Sequence, residues 1–293
     1  KKYQDIYPIY FETEDWKVMW QEFLDTALYW VDLGIKVFRV DNPHTKPFRF
    51  WEWLIHEVKK LHPDVLFLSE AFSRPAIMAE LGKAGFTQSY TYFTWRNNKQ
   101  ELIEYMNELN NGPMSETYRP NFWPNTPDIL PFSLQNYSEH EYKIRYVLAA
   151  SLSSNTGVYG PVYELMVNAA LSGKEEYFNS EKFEIGDWDW TKETAITEVY
   201  RVMNSARKNY GALQRTKNLE FLHIENDQII AYLKRGTDGS NIFCVVNLDG
   251  QRTPSGILQA RRCRFKNFKT CHGSFGNVGT VLRSNSQSSS YDS

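Results

Sequence analysis

Three acidic residues lie at positions where catalytic carboxylates are often found. Asp41 ends the apolar run 37–40, Glu70 ends the run 65–69, and Asp128 lies in a proline-rich stretch over 119–128. In a barrel of parallel strands, acids at the C-terminal ends of successive strands lie on the face where the chemistry takes place. One such acid alone could equally cap the following helix. Because the pattern recurs, the sequence favours a shared site.

Two of these acids would suit glycosyl transfer with retention of configuration. One carboxylate attacks the anomeric carbon and the other protonates the leaving oxygen, with the two about 5–5.5 Å apart. Arg39 points to the same side of its strand as Asp41, so its charge would favour the ionised nucleophile. Glu70 follows an apolar strand, and burial would raise its pKa as a general acid requires. Asp128 would then hold sugar hydroxyls.

A metal site is the other use of three acids. No His lies close to two of them in a ligand pattern. Oxygen-only Mg²⁺ sites usually include a phosphate partner as well. The sequence therefore predicts no metal and no cofactor.

Alternating helices and strands are expected to position the acids. Apolar spacing predicts a helix that ends at Gly34 and a second one between Pro47 and Pro63. Further segments alternate in the same way, with strands at 35–40, 65–70, 86–93 and 157–160 and helices at 75–83, 100–109 and 139–152. This alternation predicts a parallel sheet with helical crossovers. A doubly wound sheet would have a glycine-rich phosphate turn after its first strand, and since none is present the acids favour a barrel.

The pattern changes after residue 165. A charged and aromatic excursion precedes a helix over 192–211, and alternating segments at 219–224, 229–234 and 242–248 then predict an all-β unit. Residues 250–283 contain seven Arg or Lys and no acid, and the remainder is rich in Ser. This tail could bind an acidic partner, be disordered, or result from a lost reading frame.

Composition excludes several classes of protein. A chain of 293 residues can hold one large domain, or one large and one small. The net charge of −2 indicates neither a nucleic-acid nor a membrane partner, and no apolar run approaches the roughly 20 residues of a membrane span. The three cysteines have no metal-ligand spacing and suggest a reducing, cytoplasmic compartment. Aromatic residues make up 15% of the chain and would suit sugar rings.

The residues around the acids resemble those of glycoside hydrolase family 13, the α-amylase family. Residues 38–41 look like its nucleophile strand, Glu70 like its general acid, and residues 125–128 like its third-acid motif, with Pro127 where most members have His. Longer strings are similar to the branch that transfers maltosyl units from α-maltose 1-phosphate to α-1,4-glucans. These strings, within a resemblance that covers about residues 1–249, are KKYQDIYP at 1–8, DNPHTKP at 41–47, SEAFSRP at 69–75, TQSYTYFTWR at 87–96 and RPNFWPNTPD at 119–128.

The resemblance implies a role for each matching residue. Asp41 would be the nucleophile, Glu70 the acid and base, and Asp128 the stabiliser of the transition state. The implied substrate-binding residues, which include Phe183 where this branch usually has Tyr, are Tyr3, Asp5, Arg39, Asn42, Lys182 and Phe183. The implied partners are maltose 1-phosphate and an α-1,4-glucan acceptor, in a full-length homodimer.

The resemblance also implies a fold and its limits. Residues 1–211 would form the C-terminal portion of a (β/α)8 TIM barrel, about strands 4–8, with a site-side excursion at about 165–190. Part of an all-β sandwich domain would follow over 212–249. The chain has no start Met or signal peptide and is expected to be a fragment without the first three barrel strands. An opened barrel exposes two strand edges, so we expect the isolated chain to be poorly stable and inactive.

Two other functions use the same sequence features. A hydrolase or trehalose-forming isomerase of the α-amylase family would share the three acids, but a phosphate contact from Asn42 would argue against it. A non-catalytic α-glucan-binding protein would keep the barrel without the chemistry. The presence of all three acids argues against this alternative.

Overall fold

The computed structural model describes residues 7–136, 138–182, 184–252 and 256, together with the backbone of two short strands at 268–269 and 279–284. The chain divides into two compact units. The first comprises residues 1–90 and 113–119, and the second comprises residues 91–112 and 120–293. Within the described ranges, none of the helices combines the length and the apolar character that crossing a membrane requires.

The first unit alternates helices and parallel strands, as the sequence predicts. Its elements are α1 (Trp16–Asp32), β1 (Val37–Asp41), α2 (Phe48–Leu61), β2 (Leu66–Glu70), α3 (Pro75–Lys83) and β3 (Gln88–Tyr90). Strand β2 pairs in parallel with β1 on one side and with β3 on the other. Gly34 follows α1 with a φ of 98°, the left-handed conformation that commonly ends a helix at glycine.

Aromatic side chains form the core between α1 and α2. The ring of Phe50 on α2 lies 5.3 Å from Trp20 and 5.5 Å from Phe23, both on α1. The next residue, Trp51, donates its indole N–H to the carbonyl oxygen of Pro43 at 2.9 Å. Since Pro43 lies just after β1, this bond attaches the turn that carries the end of β1 to the core.

Strand β1 is more exposed than the sequence predicts. The apolar run 37–40 predicts a buried strand, but Val37 is 52% exposed, and exposed and half-buried side chains alternate along β1. Among the strands that the structure describes, β1 pairs only with β2. A strand paired on one side has less surface covered by neighbours, and this explains why the apolar composition of β1 did not translate into burial.

The second unit begins with helical elements. They are a 3₁₀ helix (Tyr92–Trp95), α4 (Lys99–Asn111), α5 (Phe132–Gln135), α6 (Glu139–Leu152) and α7 (Ala195–Asn209), with two short parallel strands, β4 (Pro120–Phe122) and β5 (Asn155–Thr156). The strand expected over 86–93 therefore ends earlier, because residues 92–95 turn into the 3₁₀ helix. The strand expected over 157–160 was also misplaced, since β5 ends at Thr156. The cause is that the backbone of Tyr159 bonds to the Asn125 side chain and not to a neighbouring strand.

An antiparallel sheet completes the second unit and confirms the predicted meander. Its strands are β6 (Leu219–Leu222), β7 (Ile229–Arg235), β8 (Asn241–Asn247), β9 (Phe268–Lys269) and β10 (Gly279–Ser284), and β10 pairs with both β8 and β9. Most of the tail over 250–293 lies outside the described residues. The predicted domain boundaries, and the alternatives for the tail, therefore stay predictions.

A buried lysine attaches this sheet to α6. The Nζ of Lys234 on β7 donates to the carbonyl oxygens of Ser151 at 2.9 Å and Leu152 at 3.2 Å, both at the end of α6. It also donates to the carbonyl oxygen of Arg215 at 2.5 Å. Burial lowers the pKa of Lys234 to about 7. The three carbonyl acceptors use all three protons of an ammonium group, and they account for a lysine in the interior.

Candidate functional site

Two of the three predicted acids lie side by side in the first unit. Asp41 and Glu70 end β1 and β2 and are register partners across this parallel pair. Neighbouring strands lie about 4.8 Å apart, so the two carboxyl groups leave the sheet next to each other. The structure therefore brings Asp41 and Glu70 together, as their repeated position after an apolar strand predicts.

Arg39 contacts both acids. Its Nη1 lies 3.3 Å from the Oδ1 of Asp41, and its Nη2 lies 3.5 Å from the Oε1 of Glu70. This geometry follows from the strand period of two, which puts residues 39 and 41 on one face. The single cation balances part of the charge of two neighbouring carboxyl groups.

The two carboxyl groups have different surroundings. The Asp41 side chain is 60% exposed, whereas that of Glu70 is 9% exposed. Burial raises the pKa of Glu70 to about 7; the Arg39 charge opposes that rise, and the charge of Asp41 and a hydrogen bond with its side chain add to it. One carboxylic acid that holds its proton near neutral pH, beside one exposed carboxylate, is the arrangement that acid-assisted displacement requires.

Asn42 connects the two strand ends through its backbone. Its N–H lies 3.0 Å from the carbonyl oxygen of Glu70 and 3.4 Å from the Oε2 of the same residue. Asn42 has a φ of 46° and a ψ of 48°, a left-handed conformation that Asn adopts more readily than most residues. The turn into the buried Pro43 thus depends on residue 42, and its N–H is directed at the Glu70 carboxyl group.

The third acid, Asp128, belongs to the second unit. Its backbone N–H donates to the Oγ1 of Thr126 at 3.3 Å, within a tight turn in which Thr126 and Ile129 form a β-bridge. The Nζ of Lys182 lies 3.8 Å from the Oδ1 of Asp128. The structure thus pairs two sequence-predicted residues that are 54 positions apart. A common site for Asp128 with Asp41 and Glu70 stays a prediction.

Of the remaining predicted site residues, the structure describes Lys182 but not Tyr3, Asp5 or Phe183. Lys182 is exposed and lies next to Glu181 in the excursion before α7. Tyr3, Asp5 and Phe183 lie outside the described residues. Their roles stay predictions.

Sequence reasoning assigned no role to several residues around these acids. In the first unit the guanidinium carbon of Arg39 lies 6.0 Å from the ring centre of Tyr90, and the Tyr90 ring lies 6.4 Å from that of Phe72. In the second unit the buried side chain of Asn125 bonds to Tyr159 and Tyr177. Tyr90, Phe72 and Asn125 all belong to the strings on which the resemblance rests, and this was the available signal.

The described part of the chain contains no group of three or more His, Cys, Asp or Glu side chains that could hold a metal ion. The absence of a metal and of a cofactor from the function stays a prediction.

Three curated relatives of this chain carry the same name. The α-1,4-glucan:maltose-1-phosphate maltosyltransferase of Methylacidiphilum infernorum (isolate V4) is 52% identical over 250 residues, which cover 85% of this chain and 38% of that protein. The protein of the same name from Chlorobaculum tepidum is 49% identical over 266 residues, which cover 88% of this chain and 40% of that protein. The protein of the same name from Picrophilus torridus is 44% identical over 285 residues, which cover 97% of this chain and 44% of that protein. The chain thus spans about two fifths of the length of these curated relatives.

Solved structures show the fold. An α-amylase from Geobacillus thermoleovorans, complexed with acarbose, has a TM-score of 0.73 at 15% identity, over 92% of this chain and 65% of that one. A cyclomaltodextrin glucanotransferase with a three-domain ABC distribution has a TM-score of 0.73 at 12% identity, over 92% and 60%. The fold is therefore part of an α-amylase-type TIM barrel followed by a β domain, as the sequence predicts.

No protein-family model matches the chain. The curated relatives nevertheless extend over nearly all of its residues at 44–52% identity. Such identity over such a span is evidence of common descent, whereas the solved structures at 12–15% identity add only the fold. The chain is therefore a homologue of the α-1,4-glucan:maltose-1-phosphate maltosyltransferases, which it matches over about two fifths of their length.

Proposed function

We propose that the protein containing this chain transfers maltosyl units from α-maltose 1-phosphate to the non-reducing ends of α-1,4-glucans and releases phosphate. The observation that carries the proposal is the pair of neighbouring carboxyl groups, Asp41 and Glu70, with the Glu70 pKa raised to about 7. The names of the relatives supply the donor and the acceptor.

In the first half-reaction, Asp41 attacks the anomeric carbon of the donor and forms a covalent maltosyl–enzyme. Glu70 gives its proton to the departing phosphate oxygen as the glycosidic bond breaks. The exposed Asp41 side chain contacts Arg39, whereas the buried Glu70, with its raised pKa, carries the proton. This division follows the retaining mechanism of glycoside-active enzymes.

In the second half-reaction, the acceptor glucan replaces phosphate. The ionised Glu70 takes the proton of the acceptor 4-hydroxyl, whose oxygen attacks the anomeric carbon and displaces Asp41. Glu70 regains its proton in this step, so each turnover restores the starting state. A carboxyl group with a pKa near 7 suits both directions of proton transfer at neutral pH.

The remaining roles follow the resemblance. Asp128 stabilises the positive charge on the sugar ring in the transition state. Donor binding is assigned to Tyr3, Asp5, Arg39, Asn42, Lys182 and Phe183. The contact between Lys182 and Asp128 supports the assignment of Lys182, since it links a donor-binding residue to a catalytic acid.

The proposed reaction belongs to α-glucan or glycogen biosynthesis. We place the protein in the cytoplasm, where phosphorylated sugars occur and thiols such as that of the buried Cys244 stay reduced. We also infer a homodimer at full length, by resemblance to the family. The bacterial names among the relatives favour a bacterial source.

The experiment is a phosphate-release assay. A protein that contains this chain at the length of its relatives is mixed with α-maltose 1-phosphate and a maltooligosaccharide, and an Asp41→Ala variant serves as the control. Phosphate release and products longer by two glucose units, both lost in the variant, are expected. If the folded protein releases no phosphate but hydrolyses or isomerises α-glucans, the proposal is wrong and the hydrolase or isomerase reading replaces it. Glucan binding without turnover would favour a binding protein.

A further inference from the structure

An exposed carboxylate in the excursion before α7 is held on both of its oxygens. The hydroxyl of Tyr159 donates to the Oε2 of Glu181, and the Nε1 of Trp188 donates to its Oε1 at 2.7 Å. These hydrogen bonds, that of Tyr159 first, hold the pKa of Glu181 below its ordinary value. An exposed glutamate normally needs no partner, so two donors that converge on one carboxylate require an explanation.

Tyr159 is itself fixed by the third-acid motif. Its backbone N–H donates to the Oδ1 of Asn125 at 3.0 Å, and its carbonyl oxygen accepts from the Nδ2 of Asn125 at 3.1 Å. The Asn125 side chain is fully buried and also donates to the hydroxyl of Tyr177 at 2.9 Å. The rings of Tyr159 and Tyr177 lie edge to face, with 5.8 Å between their centres. The donor that holds Glu181 is therefore a rigid one.

These contacts form a closed network that joins the excursion and the third-acid motif. Asn125 holds Tyr159, and Tyr159 holds Glu181, whose neighbour in sequence is Lys182. The ammonium of Lys182 lies 3.8 Å from Asp128, which follows Asn125 by three residues. The excursion is thereby attached to the third-acid motif at two points.

A glycine keeps space for this arrangement. A Cβ placed on Gly186 would lie 2.6 Å from the Oε1 of Glu181 and would overlap the indole of Trp188. Any other residue at 186 would push the carboxylate and the indole apart. The closed network of contacts thus constrains the residue types at positions 181, 186 and 188 together.

We propose that Glu181 is a positioning residue that holds Lys182 beside Asp128 for binding of the donor sugar; this inference rests on the proposed function. Tyr159 and Trp188 engage both oxygens of the Glu181 carboxylate, while the ammonium of the neighbouring Lys182 contacts Asp128. Without these donors, Glu181 would compete with Asp128 for the ammonium group. Glu181 acts through Lys182 and has no part in the bond-making steps.

The test compares Glu181→Gln with Glu184→Gln. Both substitutions remove one negative charge from the same exposed excursion, and the structure gives the Glu184 side chain no hydrogen bond among the described residues. A Gln at 181 can accept only one of the two donors and presents its own N–H₂ to the other. We expect Glu181→Gln to raise the KM for α-maltose 1-phosphate about tenfold while kcat falls less than about threefold, because the loss concerns binding of the donor.

Two further measurements separate positioning from folding. In a double-mutant cycle, Tyr159→Phe and Glu181→Gln should be strongly non-additive in kcat/KM, since both break the same hydrogen bond. Without any substrate, limited trypsin digestion followed by mass spectrometry should show faster cleavage after Lys182 in both variants than in Glu184→Gln. The melting temperatures of Glu181→Gln and Glu184→Gln should stay close to that of the wild type, because the excursion is exposed. That of Tyr159→Phe should also stay close, because the backbone bonds of Tyr159 to Asn125 are kept.

The outcomes distinguish this inference from the proposed function. If the wild-type protein releases phosphate and Glu181→Gln matches Glu184→Gln in KM and in cleavage after Lys182, the inference is wrong and the function stands. Additive effects of the Tyr159 and Glu181 substitutions would overturn it as well. If the wild-type protein is inactive, the function fails, and the cleavage pattern alone decides whether Glu181 holds Lys182.

Discussion

Replacing Arg39 by Gln should shift the alkaline limb of the catalytic pH profile upward by about one pH unit. In the proposed mechanism that limb reports the loss of the Glu70 proton, and burial has already raised the Glu70 pKa to about 7. The Arg39 charge opposes this rise, since it favours ionised Glu70. Its removal therefore raises the Glu70 pKa further.

The magnitude follows from the geometry. The Nη2 of Arg39 lies 3.5 Å from the Oε1 of Glu70, and unit charges about 4 Å apart interact by about 4 kcal/mol at an effective dielectric of about 20 and by about 1 kcal/mol in water. The Arg39 side chain is 35% exposed and also contacts Asp41, so solvent and the second acid weaken its effect on Glu70. A discounted value of about 1.4 kcal/mol corresponds to one pKa unit.

The assay is phosphate release at saturating donor and acceptor, measured across the neutral and alkaline range, because kcat then reports the group in the bound complex. Arg39→Lys is the matched control: it keeps the positive charge and loses only the planar fork, so its limb should stay near that of the wild type even if its rate is lower. Titration of the phosphate group of the donor is common to all variants. The difference between variants therefore isolates Glu70.

The refuting results are specific. A limb that stays in place in Arg39→Gln, or moves to lower pH, would mean that Arg39 does not act on the ionisation of Glu70. An equal upward shift in Arg39→Lys would assign the effect to lost geometry and not to lost charge. A limb that persists in Glu70→Gln would show that another group carries the proton.

Three further substitutions should alter stability, as measured by urea unfolding. The raised folded-state pKa of Glu70 stabilises the wild-type protein below the unfolded-state pKa, and this contribution is lost as pH rises through about 7. Glu70→Gln should therefore be more stabilising at pH 8 than at pH 5, by about 3 kcal/mol at most. A difference in the free energy of unfolding that does not change with pH would contradict this. Lys234→Met should destabilise the folded protein by about 3 kcal/mol, since three carbonyl oxygens lose their donor. The control, Lys208→Met at an exposed position, should have little effect. Equal effects of the two substitutions would refute the role of Lys234. Asn125→Ala should destabilise by about 3 kcal/mol through loss of its bonds to Tyr159, with Asn125→Asp intermediate because it keeps the acceptor, and the reverse order would refute the reasoning.

The elements that local patterns determine were predictable from the sequence. Helix α1 ends before Gly34 because glycine accepts a positive φ, and α2 lies between two prolines as expected. The acids at the ends of β1 and β2 were predictable because in this fold the strand direction, and not a distant contact, determines which end carries them. Strand period and strand direction together therefore predict that Arg39, Asp41 and Glu70 lie close to one another.

Features that depend on distant contacts were not predictable in this way. The apolar run of β1 predicts burial, but burial depends on which strands flank it. The strand expected over 157–160 ends early because Tyr159 bonds to Asn125, 34 residues before it. The two hydrogen bonds that fix the Glu181 carboxylate likewise come from Tyr159 and Trp188. Neither residue belongs to a periodic sequence pattern that would predict these contacts.

The unequal environments of Asp41 and Glu70 arise from the sheet itself. The two residues are register partners, yet β2 lies between β1 and β3 and is covered on both sides, whereas β1 pairs only with β2 among the described strands. Burial first, and then the neighbouring Asp41 charge, raise the pKa of Glu70, so Glu70 is the carboxyl group suited to carry the proton. In the proposed mechanism, strand order thus favours Glu70 as the acid and Asp41 as the nucleophile, and Arg39 contacts both.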